Sequence, residues 1–333
     1  GEKPWRLWQS LSTHTKRILI AGIGMGLIIL LVVSINYALP GYAVREFTLA
    51  QRVLTEARVL FFYIFLILIP RIDQFSLHHD DIALSTSMLS PWTTLPSVLG
   101  LLAIFLISIF AHKNRPLLSL GILWFFTGHL LESSIFNLEI AHEHRNYLAS
   151  LGPLLVVVDL MLLGSQKLGH RKLWLLLPLL VIVFAGTTTL RSFQWSDLNS
   201  LSRYQTAYQP NSAQAQSDLA SVLTMQNQHI DALQAMRRAS ALGSSEAAYM
   251  INLHLIAVRA GIALSPQDDA ETLKRLTARK YITASTYQSL EQVNTCLLTA
   301  CSSLQPQTIK WANAILSALP ASADRSYYYY LLG

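Results

Sequence analysis

The first 190 residues hold five long apolar segments separated by short basic turns, and no other feature constrains the fold so strongly. The segments lie near 17–38, 94–112, 116–136, 147–165 and 172–190. Crossing about 30 Å of hydrocarbon takes about 20 helical residues, so each reads as a membrane-spanning helix. Lys3, Arg6, Lys16 and Arg17 precede the first segment, and His112, Lys113 and Arg115 fill the turn between the second and third. Lys167, His170, Arg171 and Lys172 fill the turn between the fourth and fifth. Basic residues mark cytoplasmic ends, and all three clusters share one side if these five segments alone span. The expected topology places the N-terminal end of the chain in the cytoplasm and the C-terminal end outside, in a cell inner membrane.

Of the 333 residues 52% are hydrophobic and 13% charged, where a soluble domain carries about 25% charged residues. The apolar content stops near residue 190, and 191–333 is polar and helix-forming. The expected fold is therefore all-α: a polytopic transmembrane bundle over 1–190, then an extracytoplasmic helical repeat domain over 191–333. The net charge of +6 does not indicate nucleic acid, because the basic residues bracket the apolar runs. The chain begins GEKPW, without an initiator Met or a signal-peptide pattern, and is read as the C-terminal part of a longer protein.

VLFFYIFLILIP (59–70) is as apolar as any span but too short, and counting it as a crossing breaks the charge parity. Before it, Phe47, Ala50, Val53, Leu54 and Ala57 recur at helical spacing among Arg45, Glu46, Arg52, Glu56 and Arg58. That pattern predicts an extracytoplasmic surface helix followed by a short dipping helix over 44–70. Two loops then share the outer face, 71–93 and 137–146.

The run EIAHEHRNYLASLG (139–152) sets Glu139, His142, Glu143, His144, Arg145 and Tyr147 at the mouth of a span. Ionisable groups at that depth need a partner or a ligand to offset their desolvation. The cluster fits an anionic lipid head group, with Arg145 as a planar, permanently charged phosphate clamp and His144 or His142 assisting. Charges snorkelling to the interface are the competing reading. Glu143 either orients Arg145 or simply pairs with it, and Tyr147 caps the helix at the interface. In the other loop His78, His79, Asp80 and Asp81 line the acceptor side, hold a divalent ion, or belong to a solvated loop. No metal site is expected, since adjacent His and Asp side chains seldom converge on one ion. Asp159 lies inside a span, where a buried acid needs a partner.

In the polar half Leu219, Ala220, Leu223, Asn227, Ala232, Met236 and Ala239 fall on the offsets of a tetratricopeptide repeat. The next unit, about 246–262, keeps Leu253 and Gly261 but has Pro266 where a small residue is expected. Such stacks bind peptides or partner proteins, or serve as structural caps. On one unbroken helix Cys296 and Cys301 would stand roughly 8–9 Å apart at Cα, too far to bridge. A disulfide, chemically permitted outside the cytoplasm, requires the helix to end between them.

Membrane helices, then RSFQWSDL (191–198), then repeats, with EHRNYLAS at the start of a span, resemble the transmembrane and tetratricopeptide-repeat-containing O-mannosyltransferases and their bacterial relatives. RVLTEARVLFFYIFLILIPRIDQFSLHHD resembles that family's stretch between two late spans. These are GT-C class glycosyltransferases. The resemblance implies transfer of a sugar from a polyprenyl-phosphate donor to a hydroxyl, on protein, at the outer membrane face. It also implies a metal-independent mechanism, no cofactor beyond the donor, and an acidic base on a first outer loop upstream of residue 1. An O-antigen ligase or polymerase also uses outer-face Arg and His, and a membrane-anchored scaffold would use the repeats to recruit partners in an envelope complex.

Overall fold

The structure is a computed structural model that describes residues 12–168, 176–299, 301–320, 323 and 325–331. Among those residues the regular elements are helices, with one isolated bridge between Ser87 and Ser90. Lys3, Arg6, His170, Arg171 and Lys172 lie outside the described residues.

The apolar half contains α1 (Thr13–Ala38), α2 (Leu49–Leu68), α3 (Thr94–Ala111) and α4 (Pro116–His129), then the single turn α5 (Asn146–Ala149), α6 (Leu151–Leu168) and α7 (Leu176–Gln194). Among the described residues α3 and residues 177–194 of α7 are long and apolar enough to cross a membrane. A third span exists if residues 143–149 and α6, bent by 49°, are counted as one. The expected segment 116–136 is cut short: α4 stops at His129 after 14 residues, about 21 Å of helix. Leu130 N–H donates back to the Thr127 carbonyl at 3.2 Å, and the chain then runs irregularly to residue 142.

Irregular backbone leaves carbonyls without helix partners, and buried carbonyls need donors. Arginine carries five. Arg52 donates to the Glu132 carbonyl at 2.6 Å and the Glu139 carbonyl at 3.1 Å, and also to Leu138. Arg45 Nε donates to Asn137 at 2.8 Å and Tyr42 Oη to Ile135 at 2.8 Å. The two successive helices expected over 44–70 are not separate. One continuous helix, opened by a Thr48–Gln51 capping box, turns Arg52, Glu56, Val59, Tyr63 and Leu66 inward, while Val53 and Phe65 are exposed. Arg52 and Glu56 pair at 2.9 Å, both almost wholly buried.

Small residues bring α4 against α6. A Cβ on Gly152 would stand 2.5 Å from the Gly121 carbonyl oxygen, and one on Gly121 would stand 2.7 Å from that of Gly152. Only hydrogen at these positions permits so close a backbone approach. Farther along, Asp159 of α6 is paired with Arg115 at the start of α4, which supplies the partner a buried acid needs.

The polar half is an array of helices: α8 (Leu198–Tyr208), α9 (Ala213–Met225), α10 (His229–Leu242), α11 (Ala247–Arg259), α12 (Pro266–Thr277), α13 (Ala284–Leu297), α14 (Gln305–Ala318) and the short α15 (Ser326–Tyr330). Ala220, Leu223, Ala232, Met236 and Ala239 are buried where α9 meets α10. A second core gathers Ile251, Leu255, Leu276, Leu290, Trp311 and Ile315. Three turns close alike. Gln228 N–H donates to Leu223, Ile262 to Ala257 and Cys301 to Cys296, each at 2.9 Å. Asn227 and Gly261 take positive φ, 59° and 67°, in the first two, the left-handed step that ends a helix. At the third turn α13 stops at Leu297 and a disulfide joins Cys296 to Cys301, with Cα atoms 5.2 Å apart.

The array bears on the membrane half at both ends of α2. Glu46 accepts from Ser245 and Arg279 on one side, and Tyr204 Oη donates to the Ile72 carbonyl on the other.

Candidate functional site

The residues that sequence grouped at 139–147 divide between two structural tasks. Arg145 is buried: Nη1 donates to the Glu139 carbonyl at 2.7 Å and Nε pairs with Glu132 at 3.0 Å. With Arg52 and Arg45 it secures the irregular segment 130–142, so its guanidinium is engaged in holding the fold. Glu143 does not orient Arg145. It accepts from the Ser76 N–H and from His79 Nε2 at 3.3 Å, and lies 3.7 Å from Arg191 Nη2. The His142 and His144 rings lie against each other, tilted by 53°, with centroids 4.2 Å apart. Burial first, and then the neighbouring His144, holds the His142 pKa below the usual imidazole range. At neutral pH His142 therefore offers a hydrogen bond and no charge. Glu139 contributes its backbone carbonyl to both Arg52 and Arg145. Tyr147 is 91% exposed beside exposed Leu148, as an interfacial aromatic would be.

His78, His79, Asp80 and Asp81 do not converge on one point. His78 Nε2 meets Asp218 at 2.7 Å, and Asp80 accepts from Ser212 Oγ and, at 3.1 Å, from the Gln214 N–H. The Gln209 carboxamide, oriented to satisfy its neighbours, reaches Asp81 Oδ1 at 3.1 Å. Three of the four thus seat the array on the membrane half, and only His79 turns to Glu143. Among the described residues no group of three or more His, Cys, Asp or Glu is placed to hold a metal ion.

A cavity of about 560 Å³ lies between the end of α2, the bend from α5 to α6, and the last turns of α7. Leu66, Ile67, Pro70, Leu154 and Phe184 make its apolar wall, and Glu143, Asn146, Arg191 and Trp195 its polar end. The Arg191 guanidinium is held by the Phe75 carbonyl at 3.1 Å and Gln194 Oε1 at 3.0 Å. It lies over the Phe75 ring at 5.6 Å and the Trp195 ring at 5.7 Å. Asn146 is buried beside His129, and neither atom of its carboxamide completes a well-formed hydrogen bond. A fixed cation, loosely balanced by Glu143 at 3.7 Å, and an unsatisfied amide above an apolar wall can receive an amphipathic group: a polar head at one end, a hydrocarbon chain along the wall.

Arg191, Asn146 and Trp195 were not singled out as site residues from sequence. The available signal was an arginine in the last turn of an apolar helix with a tryptophan four residues on, one helical turn away. No family model matches the chain, nor does any curated protein or solved structure.

Proposed function

We propose that this chain works in a membrane glycosyltransferase that moves a sugar from a polyprenyl-phosphate donor to a hydroxyl acceptor, on protein, at the extracytoplasmic face of an inner membrane. The observation that carries the reading is the cavity, whose apolar wall ends at a clamped guanidinium. In transfer the bond from the sugar C1 to the phosphate oxygen breaks, and a bond to the acceptor oxygen forms. The acceptor proton leaves to a general base. Charge develops on the departing phosphate, and stabilising such charge is usually the largest catalytic term. Arg191 takes that role in place of Arg145, and Glu143 orients it.

In the same reading residues 1–190 form a polytopic bundle in which the short α4 is completed by its packing on α6, and 191–333 is a periplasmic, tetratricopeptide-like array that presents the protein acceptor. The matched turns at Asn227 and Gly261, 34 positions apart (261 − 227), support the repeat. The test is binding of undecaprenyl phosphate to the whole protein in nanodiscs. Arg191→Ala should weaken it at least about 10-fold, the scale of one lost charge-assisted contact, and Arg191→Lys should restore little because an ammonium lacks the guanidinium fork. Equal binding by native protein and Arg191→Ala would remove the phosphate site. Capture of a protein partner with no lipid binding would favour the scaffold reading.

A further inference from the structure

Residues 86–93, between the array-seating loop and α3, form a tight tip whose large side chains point away from the fold. Met88, Leu89 and Trp92 are 45%, 70% and 75% exposed. Such exposure often reflects a loose loop, but this tip is pinned. Ser85 N–H donates to Thr55 Oγ1 at 2.8 Å, Ser85 Oγ meets Thr94 Oγ1 at 2.8 Å, and Arg58 holds the Ala83 carbonyl at 2.6 Å. Its backbone is closed on itself as well. Thr86 N–H donates to the Ser90 carbonyl at 2.8 Å, and Thr94 N–H to the Pro91 carbonyl at 3.0 Å. Each backbone group satisfied inside the turn in this way lowers the penalty of entering an apolar medium.

The sequence around the tip points the same way. No charged residue occurs from 82 to 111, a stretch that runs through the tip and on through the whole of α3. Trp92 stands two residues before α3, whose Leu99, Leu102 and Phe110 are exposed in the lipid-facing manner of a span. The tip's apolar surface is thus continuous with that of a membrane-crossing helix, and tryptophan is enriched where hydrocarbon gives way to head groups.

We propose that the 86–93 tip is a membrane wedge that inserts Met88, Leu89 and Trp92 into the outer-leaflet interface beside α3. Its occupant is lipid, and the wedge fixes the depth at which α2 and the cavity sit relative to the head groups.

The chain has two cysteines, and they are joined to each other, so Leu89→Cys supplies a single thiol. That thiol is labelled with the NBD fluorophore in the whole protein. The labelled protein is reconstituted in phosphatidylcholine–phosphatidylglycerol vesicles with and without lipid carrying a doxyl quencher at carbon 5. The label should be quenched at least twofold by the doxyl lipid and shielded from aqueous iodide. Arg238→Cys on the array, labelled in the same way, should behave oppositely. A Leu89 label as open to iodide as the Arg238 label overturns the proposal. So does one shielded from iodide yet blind to the doxyl lipid, which would mean a protein occupant. Trp92 gives a label-free check: the difference emission between native protein and Trp92→Phe should be quenched by the same lipid. None of these readings depends on sugar transfer or on Arg191.

Discussion

Arg52 offers the sharpest test of how the irregular segment 130–142 is held. Its guanidinium is fully buried, supports three backbone carbonyls and faces a Glu56 carboxylate that is itself 2% exposed. Arg52→Met keeps much of the side-chain volume but removes all of those donors. Removing one member of a buried ion pair costs about 3–5 kcal/mol, mostly because the other charge stays behind unpaired. The orphaned carbonyls add to this where water cannot reach them, about 1 kcal/mol or more each. The expected loss is therefore at least about 4 kcal/mol. It is read as the shift in unfolding of the detergent-solubilised protein against added sodium dodecyl sulfate. The double variant Arg52→Met/Glu56→Leu removes the stranded carboxylate and should recover about half of the loss, leaving the cost of the carbonyls. The two substitutions then couple by more than about 1 kcal/mol, as contacting residues do. A single variant within about 1 kcal/mol of native, or a double variant whose loss is the sum of its singles, would refute the reasoning.

Gly152→Leu should force α4 and α6 apart, because the first added carbon already meets the Gly121 carbonyl at 2.5 Å and the Phe125 nitrogen at 2.8 Å. Those neighbours are backbone and cannot swing aside, so the same unfolding assay should show a loss at or above the usual overpacking cost of about 1–3 kcal/mol. The seating of the array should weaken with alkalinity. Burial opposes charge on His78, but the hydrogen bond to Asp218, with Asp80 and Glu139 behind it, prevails and raises its pKa. A raised folded-state value means the contact is complete below the unfolded value of about 6.5 and is lost as pH rises through the raised one. Hydrogen exchange along α9 should accelerate over that window, and Asp218→Asn should flatten the profile; a pH-independent contact would appear as no difference between the two proteins. Replacing both Cys296 and Cys301 by serine reopens a six-residue loop. By the chain-entropy account this lowers array stability by about 2 kcal/mol, measurable as a lower midpoint in thermal melting of the whole protein.

The long helices α3 and α7 were legible because a run of about 20 apolar residues has few alternatives. The helical character of 191–333 was legible from small residues at helical spacing, since Ala220, Ala232 and Ala239 are buried as that spacing requires. The turn between Cys296 and Cys301 was legible only as the condition that a disulfide there would impose on the helix. The charged face of α2 was misread for an identifiable reason. Periodicity assigns arginine and glutamate to solvent, whereas the partners of Arg52 are carbonyls 80 to 87 residues farther along the chain. The partners of Arg145 were hidden for the same reason: its charge was visible, but Glu132 and the bend at 139–140 that it contacts were not. The cavity was the least legible part, because α2, α6 and α7 each supply a fragment that carries no distinctive pattern by itself.

One short stretch links the array to the cavity. Ser76 and His79 hold Glu143 at the cavity's polar end, while His78 and Asp80, on adjacent and alternate positions, hold Asp218 and Ser212 of the array. This strap, from Ser76 to Asp81, thus presents groups to both bodies: the Ser76 N–H and His79 to Glu143, and His78, Asp80 and Asp81 to the array. Arg191 closes the circuit, because it grips the Phe75 carbonyl just before the strap and belongs to the helix that leads into the array. Glu143 and Arg191 are therefore positioned by the same short stretch of chain that seats α8 and α9. The array and the polar end of the cavity therefore share one continuous set of contacts, so a shift of α8 or α9 would be felt at Glu143 and Arg191.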